Sequence, residues 1–104
     1  MEPTHISDAF QLFMKEAPAY QEAWLDAVKK LDVASKLDAK TQALVYIGIL
    51  AAARLDSGLP FHVFEAKEHG ATRDEVVSAV LAGLPAVGNV VIQSLPVALQ
   101  AYDK

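Results

Sequence analysis

The ten residues from Leu44 to Ala53 carry no charge, and no polar side-chain group except the Tyr46 hydroxyl. A helix built from them has no side to offer water, so it must lie among other elements of the protein. It is also too short to cross a bilayer, which takes about 20 apolar residues. A short polar break, Arg54-Leu55-Asp56-Ser57-Gly58, follows it. A second segment then carries His62 and ends at Gly70-Ala71-Thr72. The stretch from Thr41 to Thr72 is thus the frame, and the remaining chain reads as packing around it.

Gly48 falls in the middle of the apolar helix, where glycine costs about 1 kcal/mol relative to alanine and so signals close approach of another backbone. A helix crossing is expected there. Before the frame, Ser7 caps a short first helix with Phe10, Phe13 and Met14 on one face. Pro18 opens a second helix to about Asp32, with Tyr20, Trp24, Ala27, Val28 and Leu31 as its apolar stripe and Glu22, Asp26, Lys29 and Lys30 on the wet side. Asp38 caps the apolar third helix. A fourth runs from about Leu59 to His69, with Pro60 in its first turn and Gly70 as its C-terminal cap. Thr72 and Glu75 have the spacing of a capping box at the start of a fifth helix, through Val76, Val77, Val80, Leu81 and Leu84, which stops at Gly83-Leu84-Pro85. A sixth is expected over about Ala86 to Tyr102, bent at Pro96. Only Val90-Val91-Ile92 has strand propensity, too short a run for a sheet. The expected fold is therefore all-α, a compact bundle of five to six helices in one domain, 1–104.

With 104 residues the chain has room for one small domain, burying roughly 65% of its unfolded surface. Its 53% hydrophobic and 21% charged residues depart in the apolar direction from the ~45–50% and ~25% of soluble domains. Some of that surface is expected to be covered by further copies of the chain. The net charge is −4, with no basic run longer than Lys29-Lys30, which argues against a nucleic-acid footprint. The absence of cysteine excludes disulfides and thiol redox chemistry. Val76 to Ile92 is interrupted by Ser78, Pro85, Gly88 and Asn89, so no membrane association is expected. Met1-Glu2-Pro3-Thr4-His5 lacks the basic-then-apolar layout of a signal peptide, and a cytoplasmic location is expected.

From about Pro18 to its end the chain resembles the carboxymuconolactone decarboxylase family, which includes the AhpD-type alkylhydroperoxidases. The family pattern is a lysine-threonine helix start, two cysteines separated by two residues, a histidine four positions after the second cysteine, and a glycine-alanine-threonine turn eight positions later. Lys40-Thr41, His62 and Gly70-Ala71-Thr72 match it here. Leu55 and Gly58 stand where the cysteines would be, and Ala43 stands where the AhpD-type relay has a glutamate. Peroxide reduction by that route needs a thiolate and a resolving thiol, so no such activity is expected. The resemblance implies an AhpD-like fold and a homo-oligomer, hexamer or trimer.

His62 is the titratable group that this resemblance places between the third and fourth helices. An imidazole titrating near neutral pH suits a general acid or base, and it equally suits a packed histidine satisfied by a carbonyl or water. The expected substrate is a small organic acid or lactone. Arg54, or helix-start amides near Ser57, would hold its carboxylate, and Phe61 and Phe64 would wall the pocket. The other reading is a non-catalytic structural or ligand-binding homo-oligomer that kept the fold. No cofactor is implied. His62, Glu65 and His69 share one helix face at metal-site spacing, but Thr41 to Ala53 and Val76 to Gln100 supply no further ligand, so no metal is expected; Glu65 and His69 read more simply as a surface pair.

Overall fold

A computed structural model describes residues 6–104; His5, expected in a frayed terminus, lies outside them. Among the described residues all regular structure is helical. Helix α1 is Asp8–Glu16 and α2 is Pro18–Ala34. The Ser7 side chain caps α1 by accepting from the Phe10 amide, and Pro18 sits in the first turn of α2. Helix α2 continues two residues beyond the expected Asp32. Helix α3, Ala39–Ala53, begins at Asp38, whose carboxylate accepts from the Thr41 amide at 2.8 Å. That bond holds the Asp38 carboxyl below its ordinary value.

Helix α4, Leu59–Glu68, is reached through one 3-10 turn, Asp56–Gly58. It ends in a Schellman motif: the Ala71 amide donates to the Ala66 carbonyl and the Gly70 amide to that of Lys67, with Gly70 at φ +90°. Helix α5, Arg73–Leu81, opens on the expected capping box, Thr72 and Glu75 each accepting from the other's amide. Lys40 reaches across from α3 to the same Glu75 at 2.9 Å.

The expected bent sixth helix is instead three elements. Helix α6, Leu84–Val87, is a single turn. Gly88, at φ +76°, breaks it, a 3-10 segment covers Gly88–Ser94, and α7 spans Leu95–Tyr102. The left-handed backbone at Gly88 stops propagation, so Pro96 falls in the first turn of a new helix, where its missing N–H costs nothing. By length and composition alone, Arg73–Tyr102 is apolar enough to cross a membrane. Here it folds back at these breaks, and Val76, Val80, Val91, Ser94 and Ala98 are fully buried.

The core is assembled from α3, α4, α5, the second 3-10 segment and α7, around Ile47, Leu59, Val63, Val76, Val80 and Val91. Two flanks of α3 are covered and the third is open. Ala43, Ile47, Leu50 and Ala51 are buried, whereas Val45, Tyr46 and Ile49 face out of the single chain. This corrects the expectation of an all-round central helix: one 104-residue chain closes around α3 on two flanks, with α4 and α5, and not on the third.

Gly48 marks the predicted crossing. A Cβ there would lie 3.0 Å from the Ala79 carbonyl oxygen of α5. Gly48→Ala is expected to destabilise the fold by about 1–2 kcal/mol, because overpacking against backbone, ~1–3 kcal/mol, exceeds the ~1 kcal/mol of helix propensity gained. Chemical denaturation measures this, and an unchanged or higher midpoint would disprove the close crossing.

Candidate functional site

His62 lies on α4 facing α3. Its ring stacks on Tyr46, with centroids 4.1 Å apart and planes inclined by 17°. Phe61 meets the same ring edge-on at 5.0 Å. The imidazole is 20% exposed, yet its Nδ1 is buried and has no hydrogen-bond partner. The nearest carboxylate oxygen is Glu65 Oε1 at 3.7 Å, one helical turn further on. That gap is too long for a direct hydrogen bond. It is short enough for the neighbouring His62 ring to hold the Glu65 carboxyl below its ordinary value, against burial, which raises it. The Glu65 carboxylate lies beside His62 and also feels His69, whose Nδ1 sits 2.9 Å from the Glu65 backbone carbonyl. The expected Glu65–His69 surface pair is thus made through the backbone carbonyl, and the carboxylate is shared with His62. Among the described residues no three His, Asp or Glu side chains converge as metal ligands would.

Arg54 ends α3 in the left-handed conformation, φ +61°, and is held in the fold on several sides. Its guanidinium pairs with Asp56 at 3.2 Å, donates to the Gln93 side-chain carbonyl at 2.6 Å, and lies 3.5 Å from the Val90 carbonyl. The Ser94 hydroxyl, fully buried, donates to the other Asp56 oxygen at 2.6 Å. This clasp ties the end of α3 to the second 3-10 segment. Arg54 therefore reaches a substrate carboxylate only by leaving those partners.

Ser57 is exposed in the 3-10 turn before α4. Of the amides near it, that of Gly58 already donates to the Leu55 carbonyl, and Pro60 has none. Phe64, on α4, is partly buried. The structure thus gathers His62, Phe61, Tyr46 and Glu65 into one cluster and commits Arg54 to another. Sequence reasoning did not place Tyr46 beside His62 and treated Glu65 as a surface residue. The i, i+3 spacing of His62 and Glu65 was the available signal for one. Nothing in the sequence announced the other, because that contact depends on how α3 and α4 cross.

Two apolar grooves lie away from His62. One, of about 700 Å³, runs between α3 and α5 along Val45, Gly48, Ile49, Ala52, Ala79 and Gly83. The other, of about 620 Å³, lies between α1 and α2 along Phe10, Phe13, Tyr20 and Trp24. Compared with known proteins, residues 18–100 match the family model described as "Carboxymuconolactone decarboxylase family". No curated protein and no solved structure matches the chain.

Proposed function

This chain belongs to the carboxymuconolactone decarboxylase family, and from that premise we propose that it acts on a small organic acid or lactone at His62, by acid/base chemistry that needs no thiol. The observation that carries this reading is the placement of His62: Nδ1 is buried toward the Glu65 carboxylate at 3.7 Å, while the ring is held flat against Tyr46. With Nδ1 turned toward that carboxylate, Nε2 is the nitrogen left to exchange a proton with a substrate. In a decarboxylation, the electrons of the breaking C–C bond pass into the conjugated lactone. The imidazolium then returns a proton to carbon as carbon dioxide departs. Phe61 and Tyr46 supply flat apolar walls for such a ligand.

One observation favours a binding or structural homo-oligomer instead: His62 does not line the 700 Å³ groove, whose walls are apolar and small side chains apart from Asp74 and Glu75. A thermal-shift screen with lactone and keto acids, followed by turnover assays on the hits, separates the two. A ligand at ten times its Kd is expected to add about 1.4 kcal/mol, roughly 6–11 °C in Tm for a domain of this size. The shift should fall sharply in His62→Gln. A shift of the same size in that variant, or no shift with any acid tested, would overturn the His62 reading.

A further inference from the structure

The His62 cluster is short of positive charge. The lysines and arginine of α3, α4 and α5 are Lys40, Lys67 and Arg73. Lys40 pairs with Glu75 at 2.9 Å and Arg73 with Asp103 at 2.9 Å, while Lys67 donates to the Tyr102 carbonyl at 2.7 Å. Arg54, at the end of α3, is held by Asp56 and Gln93. At the start of α4 the Gly58 and Leu59 amides donate to the Leu55 and Asp56 carbonyls, and Pro60 has no amide hydrogen to offer. His69, further along α4, has its Nδ1 2.9 Å from the Glu65 carbonyl.

What the cluster presents is negative. Glu65 Oε1 stands 3.7 Å from the His62 Nδ1, on a side chain that is 44% exposed. Its carboxyl is held below its ordinary value, so it is ionised at neutral pH. Tyr46 covers one face of the imidazole and Phe61 meets the ring edge-on, and aromatic faces carry the negative part of the ring quadrupole. With a neutral imidazole the cluster holds one negative charge, and with an imidazolium it holds none. A ligand carboxylate therefore adds charge to a site already neutral or negative, where its one cationic partner is an imidazolium beside Glu65. Contact between like charges costs more here than in bulk water, because the imidazole is only 20% exposed and its Nδ1 is buried. An uncharged carbonyl avoids that cost.

We propose that Glu65 sets the charge selectivity of the His62 site: it admits a flat, uncharged, conjugated lactone and turns away a lactone that carries a free carboxylate. This rests on the reading of His62 as the place where the ligand binds, and narrows that reading from acid or lactone to lactone. It also makes decarboxylation the disfavoured reaction of the site. The lactone ring lies against Tyr46 and Phe61, and its carbonyl accepts a hydrogen bond from the His62 ring. Glu65 acts through space, as a specificity-determining residue that makes no bond to the ligand.

The test uses a matched pair, an α,β-unsaturated γ-lactone with a side-chain carboxylate and the methyl ester of the same molecule. Each is titrated by calorimetry into the unmodified protein and into Glu65→Gln. Glu65 is part-exposed and outside the core, so the variant keeps the fold, and thermal melting checks this. In the unmodified protein the ester is expected to bind roughly tenfold or more tightly than the acid, the ratio that one like charge about 6 Å away produces at an effective dielectric of about 40. In Glu65→Gln the ratio should fall to within about threefold of one, through a gain in affinity for the acid with that for the ester unchanged. Raising salt from about 0.05 M to about 1 M should narrow the ratio in the unmodified protein and leave that of the variant unmoved. An acid that binds as tightly as its ester, or a ratio indifferent to Glu65→Gln or to salt, overturns the proposal and leaves the His62 reading standing. Failure of both ligands to bind, or undiminished binding of both to His62→Gln, overturns the His62 reading and this inference with it.

Discussion

Replacing His62 with glutamine is expected to lower turnover of a substrate identified by the acid and lactone screen by ~10²–10⁴-fold, the usual contribution of a positioned general acid or base. Stability should change far less. Glutamine forfeits the stacking on Tyr46 at 4.1 Å, worth about 0.5–1.5 kcal/mol. It breaks no hydrogen bond at Nδ1, because none exists there. The two consequences separate the readings. A catalytic His62 shows loss of rate in a protein that melts within a few degrees of the original. A merely packed His62 shows a lower melting temperature with turnover per folded molecule unchanged, and that result would remove it from the chemistry. Glu65→Gln sharpens the comparison, because it leaves Nδ1 without its neighbouring negative charge. It should lower turnover with KM little altered.

Ile47→Ala should cost 2–5 kcal/mol in denaturant unfolding, the range for deleting a large aliphatic side chain from a packed core. Ile47 is fully buried on the side of α3 that faces the core, with Leu50, Leu59 and Val63 in the same cluster. Against a typical total stability of ~5–15 kcal/mol, this is a large share. The neighbouring Ile49→Ala gives the contrast, since Ile49 is 58% exposed in the single chain. Its effect should be small in dilute protein. Equal, concentration-independent losses at the two positions would show that both sides of α3 are buried within one chain.

Most of the helical framework was legible because its signals are local. Ser7, Asp38 and the Thr72–Glu75 box act within three residues of themselves, and Gly70 within a single Schellman turn, so each could be read without knowing the fold. Gly48 was legible for another reason: a costly residue in a helix interior implies a neighbour, though not which one. The C-terminal region failed as a single bent helix because Gly88 and Pro96 were weighed apart. Gly88 takes a left-handed conformation that ends α6, and Pro96 then starts a helix instead of kinking one.

The sequence by itself determined the helical class, the caps, the family and the exclusion of thiol chemistry, since each follows from residue identity or short-range spacing. Tertiary structure alone decided that Tyr46 lies flat on His62, that Arg54 reaches Val90 and Gln93 across 36 and 39 positions, and that α1 and α2 stand clear of the core. Those outcomes depend on how helices cross and which flanks stay uncovered. Apolar periodicity says that a face must be buried, and carries no information about which surface buries it.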